Sequence, residues 1–182
     1  MKKRKMIFVL VIILLFSNSF SFATTVESET SVEWILDQYV DEFGRKTGDS
    51  IVHNEELIVG KFSNTAVQNA LLGVMVVADN TDIYLILYEY GRSMVTNPLS
   101  QQNYYYDVSI LDANNKKYTL NGAIPPGDFR LYFDENETII KAIKTGSISF
   151  SITKSDRQVN RYSFTIEDTQ KFVELYSQMN GR

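Results

Sequence analysis

The chain contains no cysteine, and that one absence removes thiol nucleophiles, disulfides, thiolate metal centres and thioether-linked lipids together. Histidine is almost as scarce. The single copy, His53, stands in the polar stretch 51–56. A serine nucleophile ordinarily needs an imidazole base, and no Gly-x-Ser-x-Gly elbow occurs. Zinc needs three or four N, S or O ligands, and one histidine without cysteine does not supply the usual set. His53 is therefore read as a solvated loop residue, and the sequence assigns no catalytic residue, no metal and no cofactor. Long apolar runs are missing after the first 23 residues. The longest, 70–78, has nine residues, whereas a helix needs ~20 to cross hydrocarbon.

What is present begins with an N-terminal leader. Lys2, Lys3, Arg4 and Lys5 form a basic patch, residues 6–16 are an unbroken apolar run, and a small polar segment ends in Ser21-Phe22-Ala23. Small residues three and one before the cut suit a signal peptidase, so cleavage is expected between Ala23 and Thr24, with secretion or periplasmic delivery through the general export route. Removing the leader's four cations from 18 leaves 14 Lys and Arg against 22 Asp and Glu, a formal charge of −8. A surface so acidic disfavours nucleic acid, whose affinity rests on cations displacing counterions. It disfavours anionic lipid as well. The expected partner is a protein or a carbohydrate, with no membrane attachment after cleavage.

Residues 24–30 are polar and aperiodic and read as a flexible segment, and 31–180 as a single domain. Its texture alternates every second residue. Strands are expected from Trp34 toward Phe43, over 57–62, 72–78, 83–90, 104–111 and 117–120, around Phe129, Leu131 and Phe133, and over 147–152 and 162–166. The clusters 79–82 (Asp-Asn-Thr-Asp) and 112–115 (Asp-Ala-Asn-Asn) favour tight turns because their side chains bond the local backbone. Helical spacing appears at 138–144, ending before Gly146, and at 169–179, with Asp168 as an N-cap candidate. Eight or nine short strands and two short helices predict a mainly β fold, an antiparallel β-sandwich.

Candidate binding residues are few. Asp41, Glu42 and Glu89 lie in or beside aromatic-rich strands, and a sugar-cleaving pair of carboxylates must face each other at ~5–10 Å. Calcium is the one metal whose all-oxygen ligand set the acidic clusters could offer, but their spacing lacks the closing Glu of a calcium-binding loop and reads as turn chemistry. Tyrosine is abundant, and Tyr84, Tyr88, Tyr90, Tyr104, Tyr105 and Tyr106, with Trp34, are candidates for stacking on a sugar or anchoring a partner, although tyrosine also fills half-buried sheet faces. In Glu89-Tyr90-Gly91-Arg92 the acid and the guanidinium are expected either to pair with each other or to present the guanidinium to a ligand carboxylate.

Trp34, then Val40-Asp41-Glu42-Phe43-Gly44 with Thr47, then 60–66 (Gly-Lys-Phe-Ser-Asn-Thr-Ala), Tyr88-Glu89-Tyr90-Gly91-Arg92 and 162–166 with Phe172 together resemble a family of uncharacterised exported bacterial β-rich proteins. The chain departs from that pattern at Arg45-Lys46-Thr47, where the family carries Asp-Pro-Thr, and at Val67-Gln68-Asn69, which replaces a Thr-rich continuation. The resemblance implies export and a β architecture, and it supplies no catalytic residues. Three functions are in view: an exported non-enzymatic binding or structural module of the envelope or extracellular space, an envelope hydrolase or sugar-active enzyme using paired carboxylates, and a proteinaceous enzyme inhibitor.

Overall fold

The structure, a computed structural model, describes residues 32–155 and 160–181. The leader over 1–23, its cleavage point and the segment 24–30 lie outside the described residues. In chain order the elements are β1 (Trp34–Val40), β2 (Lys46–Asn54), β3 (Ile58–Ser63), β4 (Ala70–Asp79), β5 (Ile83–Glu89), β6 (Ser93–Met94), β7 (Tyr104–Asp112), β8 (Lys117–Ile124) and β9 (Arg130–Phe133). They are followed by α1 (Asn136–Ile143), β10 (Ile148–Lys154), β11 (Arg161–Ile166) and α2 (Gln170–Asn180).

All pairings are antiparallel, and the alternation seen in the sequence is the alternation of the sheet. The expected hairpins form around both Asp/Asn turns. Asp79 Oδ1 accepts the N–H groups of Thr81 (2.8 Å) and Asp82 (2.7 Å). Asp112 Oδ1 accepts those of Asn114 and Lys116, both at 2.9 Å. The pair β10–β11 also forms as expected, in register from Ile148 opposite Ile166 to Thr153 opposite Arg161. Its apolar face is buried, and on the other face Ser149 and Thr165 share a hydroxyl contact of 2.8 Å.

The expected sandwich is not what these strands build. The order β4-β3-β11-β10-β7-β8-β9-β5 returns to its start because β5 also pairs with β4, from Leu72 opposite Glu89 to Ala78 opposite Ile83. Eight strands close into a barrel. A sandwich and a small barrel demand the same period of two and the same turn spacing, so the local pattern does not separate them. The difference lies in two pairings of β5, with β4 and with β9.

Eight strands enclose a space that side chains fill. Val74, Leu85, Val108, Ile110, Leu131, Ile152 and Ile166 point inward and form one core with the helices. The chain is also apolar outside the ring in one place. Val77, Tyr84 and Ile86 bury themselves against Ile51, Met75, Tyr88 and Tyr132, which explains why β5 is apolar on both faces.

The hairpin β1–β2 extends the sheet from β4, where Ile51 pairs with Asp79. β2 includes His53, which is thus a strand residue and not the loop residue expected. Its Nδ1 lies 3.0 Å from the Asn54 carbonyl.

Both helices follow strands that finish at the same end of the barrel, and they close it. Ile139, Ala142 and Ile143 of α1 and Phe172, Leu175 and Met179 of α2 continue the core. The expected N-cap moves by one residue. Thr169 occupies the capping position, and its hydroxyl donates to the Ile143 carbonyl, tying the helices together. Asp168 Oδ1 instead accepts the Gln170 N–H at 2.9 Å. Trp34 is buried here, its ring edge-on to Phe172 with centroids 4.9 Å apart. Because Trp34 is the only tryptophan, its fluorescence reports this contact. Phe172→Ala is expected to lose about 3–5 kcal/mol in denaturant titration and to red-shift the emission. Unchanged emission would show that α2 does not cover Trp34.

Candidate functional site

The other end of the barrel carries loops instead of helices. Residues 64–69, 90–103 and 125–129 all reverse the chain there, and strand alternation places an unusual layer of side chains just inside it. On β5 the inward run Ile83, Leu85, Leu87 continues to Glu89. On β10 the run Ile148, Phe150, Ile152 continues to Lys154, which is buried. Tyr104, Tyr106, Tyr162 and Phe62 share this layer, since Tyr106 pairs with Lys154 and Tyr162 with Phe62. The apolar core thus ends in a carboxylate, an ammonium and phenols.

Burial of such groups is costly unless each finds a partner. The Tyr162 hydroxyl donates to Glu89 Oε1 at 2.9 Å, linking residues 73 apart in sequence. Burial, then the proximity of Tyr106 and of the Glu89 carboxylate, pushes the Tyr162 phenol well above its ordinary range. The Lys154 ammonium sits over the face of Tyr104, 3.4 Å from the ring centroid. Phe62 stacks beside Tyr162 (6.3 Å) and meets the edge of Tyr90 (5.0 Å).

The candidate residues named from sequence divide between the two ends. Glu89 belongs to the loop end, where its partner is Tyr162. Among the described residues no ion pair joins it to Arg92. Tyr90-Gly91-Arg92 is a tight turn between β5 and β6. Tyr90 (φ +54°) and Gly91 (φ +68°) are both left-handed, and Arg92 N–H donates to the Glu89 carbonyl at 3.1 Å. The glycine is thereby explained by backbone sterics. Tyr90 and the Arg92 side chain are exposed beside it.

Asp41 and Glu42 lie at the tip of the β1–β2 hairpin. Asp41 Oδ1 accepts the N–H groups of Phe43 and Arg45, both at 2.9 Å, and Oδ2 faces the Arg45 guanidinium at 2.8 Å. The Arg45 N–H foremost, with Phe43 N–H and the Arg45 side chain, holds the Asp41 carboxyl below its ordinary value against the opposing effect of desolvation. Glu42 is exposed, and Trp34 is core. Glu89 pairs with Leu72 at one end of β4, whereas the hairpin leaves β4 at Asp79, seven residues or ~23 Å of strand away. These carboxylates do not converge.

An open cleft of about 570 Å³ lies at the loop end, lined by Gln101, Gln102, Asn103, Tyr104, Tyr105 and Ser155. Its wall is pinned from behind by Asn97, a buried residue whose Nδ2 donates to the carbonyls of Gln102 (2.9 Å) and Ile124 (2.8 Å). Asn97 N–H donates to the Asp128 carbonyl (2.9 Å), and its own carbonyl accepts from Gly127 (2.7 Å). A second brace is Asp128, whose carboxylate grips the Arg130 guanidinium at 2.8 Å and is held below its ordinary range chiefly by that contact. Among the described residues, no group of three or more His, Cys, Asp or Glu is placed to hold a metal ion.

Sequence reasoning named Glu89, Tyr104 and Tyr105 but missed Tyr162, Lys154, Asn97 and the cleft. A signal for one of these, Lys154, was present. Glu89 and Lys154 each occupy the inward phase of an otherwise apolar alternation, where a charge is out of place. Compared with known proteins, the chain matches no protein-family model, no curated protein and no solved structure.

The buried phenol gives a measurable signature. Tyr162 has a folded-state pKa raised above its ordinary value of 10.0, so above pH 10 the unfolded chain loses that proton while the folded chain keeps it. Stability is therefore complete below about pH 10 and falls as pH rises beyond it. Tyr84, raised by burial and by a hydrogen bond with Tyr39, acts in the same direction. Tyr162→Phe is expected to cost about 1–3 kcal/mol at neutral pH, because Glu89 loses its donor, and to decline less steeply in alkali. Urea titrations between pH 7 and 11 measure both. An alkaline slope unchanged by the substitution would show that Tyr162 is not the group responsible.

Proposed function

We propose that this chain is an exported, non-enzymatic binding module of the cell envelope or extracellular space, and that it binds through the loop end of the barrel. The observation that carries this reading is the distribution of exposed apolar side chains. Of the eleven large apolar side chains exposed among the described residues, six (Leu71, Tyr90, Met94, Leu99, Tyr105 and Phe129) surround that end, while Tyr39, Val40 and Phe43 stand on the β1–β2 hairpin and Val59 and Leu111 on separate strands. Leu99 is 85% exposed and Tyr90 51% on loops, and Tyr105 is 57% exposed on β7, while Asn97 braces the segment 97–102 against 124–128. Isolated surface apolar residues carry no message, but a gathered set marks an interaction site. Pinned loops also lose less entropy on binding than free ones.

Binding is favoured over paired-carboxylate hydrolysis because Asp41 and Glu42 are separated from Glu89 by the length of β4. The partner class proposed is a protein or a carbohydrate. The inhibitor reading has less support, since the loop from 95 to 103 is held to the barrel by Asn97 and does not project freely. Export is supported by the three-part leader and by the resemblance of the Trp34, 40–47, 60–66 and 88–92 motifs to exported proteins. Among the described residues no helix is long and apolar enough to cross a membrane.

Two measurements test the proposal. Mass analysis of the product recovered from expressing cells should give a chain beginning at Thr24 outside the cytoplasm, and an intact leader on a cytoplasmic product would refute export. Affinity capture from the native envelope should retain a reproducible component that is lost with the double variant Tyr90→Ala and Leu99→Ala, while Arg92→Ala reports whether the guanidinium contributes. Capture of nothing reproducible, or capture indifferent to the double variant, would refute the assignment of the loop end.

A further inference from the structure

The cleft at the loop end differs chemically from the rest of the molecule. Acidic residues outnumber basic ones in the chain, yet none of the six described residues lining the cleft is acidic or basic. Among the described residues no Leu, Ile, Val, Met or Phe lines it either, so an acyl chain or an aliphatic peptide side chain has little there to bury against. What it offers is three amide-bearing residues, Gln101, Gln102 and Asn103, two tyrosines, and Ser155, whose hydroxyl donates to Asp107 Oδ1 at 3.2 Å.

An amide both donates and accepts, which suits a vicinal pair of hydroxyls, each also donor and acceptor. An exposed phenol ring offers a flat apolar face of the kind a pyranose C–H face covers. The Tyr105 ring is more than half exposed, and its hydroxyl lies 3.4 Å from the Asn103 amide nitrogen. Its backbone is fixed, since Tyr105 pairs with Ala123 on β8 and its carbonyl accepts the Ser155 N–H at 2.9 Å. Tyr104 is held from the inner side by the Lys154 ammonium against its face. Asn97 locks the amide-bearing segment through the Gln102 carbonyl. The volume falls in the ~300–1,000 Å³ range of small-molecule sites.

We infer that this cleft is a binding subsite for a neutral oligosaccharide, with Tyr105 as the stacking platform and Gln101, Gln102 and Asn103 as the hydroxyl-reading groups. The inference rests on the loop end being the binding face and narrows its partner to a neutral sugar chain. Lys154 positions Tyr104, and Asn97 positions the amides.

The test uses the full chain, expressed with its leader, purified as the cell processes it and isotopically labelled. It is titrated with soluble chito-, cello- and malto-oligosaccharides, with oligogalacturonate as the charged control, and followed by amide chemical shifts. At least one neutral series should move the amides of 101–105 and Ser155 selectively. Tyr105→Ala should weaken that binding about tenfold or more, the upper part of what an aromatic contact contributes. Val59→Ala, exposed on β3 and outside both the cleft and the loop end, should leave it unchanged, and the amide spectrum of each variant establishes that it is folded. The inference is overturned if no neutral series moves those amides at millimolar concentration, if the shifts survive Tyr105→Ala, or if oligogalacturonate binds better. Envelope capture that persists through Tyr105→Ala but is lost with Tyr90→Ala and Leu99→Ala would remove the sugar subsite and leave the loop end as the binding face. Loss of neither would remove both.

Discussion

The pairing of β5 with β4 on one side and β9 on the other is the constraint on which everything else rests. With it, the main-chain donors and acceptors of eight strands find partners around a ring, and the alternation of each strand resolves into one filled interior and one outer surface. Without it, β4 and β5 would be an apolar hairpin with an open edge, and Leu85 and Leu87 would have nothing opposite them. The helices depend on it too, because α1 and α2 are short and bury their apolar stripes only by seating on the end of a closed core.

Closure also gives the polar layer at the loop end its character. In a sheet with a wet face, Glu89 and Lys154 would be surface charges of no consequence. On the inward phase of a barrel they are walled in by aromatic rings, and each takes an aromatic side chain as its partner, Tyr162 by a hydrogen bond and Tyr104 by its ring face. Among the described residues the Glu89 carboxylate accepts from the Tyr162 hydroxyl, and the layer stands between the apolar core and the loops.

Much of this was legible in the residues. The Asp/Asn turns at 79–82 and 112–115, the pair β10–β11 and both helices appear within two residues of where periodicity and turn chemistry put them, because those signals are local. The barrel was not legible, since ring closure joins strands that are distant in sequence and a sandwich satisfies the same alternation. His53 was misplaced because a stretch of polar residues looks like a loop, whereas on a strand that extends the sheet it is tolerated. Glu89-Tyr90-Gly91-Arg92 was noticed for its charges, and its geometry turned out to be that of a turn needing two left-handed residues. Tyr104 and Tyr105 were visible as stacking candidates, but the cleft itself was not, for it joins the stretch 101–105 to Ser155, about 50 positions later, through the pairing of β7 with β10.

The segregation of helices to one end and loops to the other has a consequence for how such a chain can change. Helix packing, the tryptophan and the Thr169 tie are concentrated at one pole, out of reach of the loops at 90–103 and 125–129. Those loops could therefore be lengthened, shortened or resequenced with little penalty to the core, provided Asn97 and Asp128 keep their grip. The barrel is in this sense a stand with an exchangeable head, and descendants of one ancestor could diverge in what they recognise while remaining alike in how they fold.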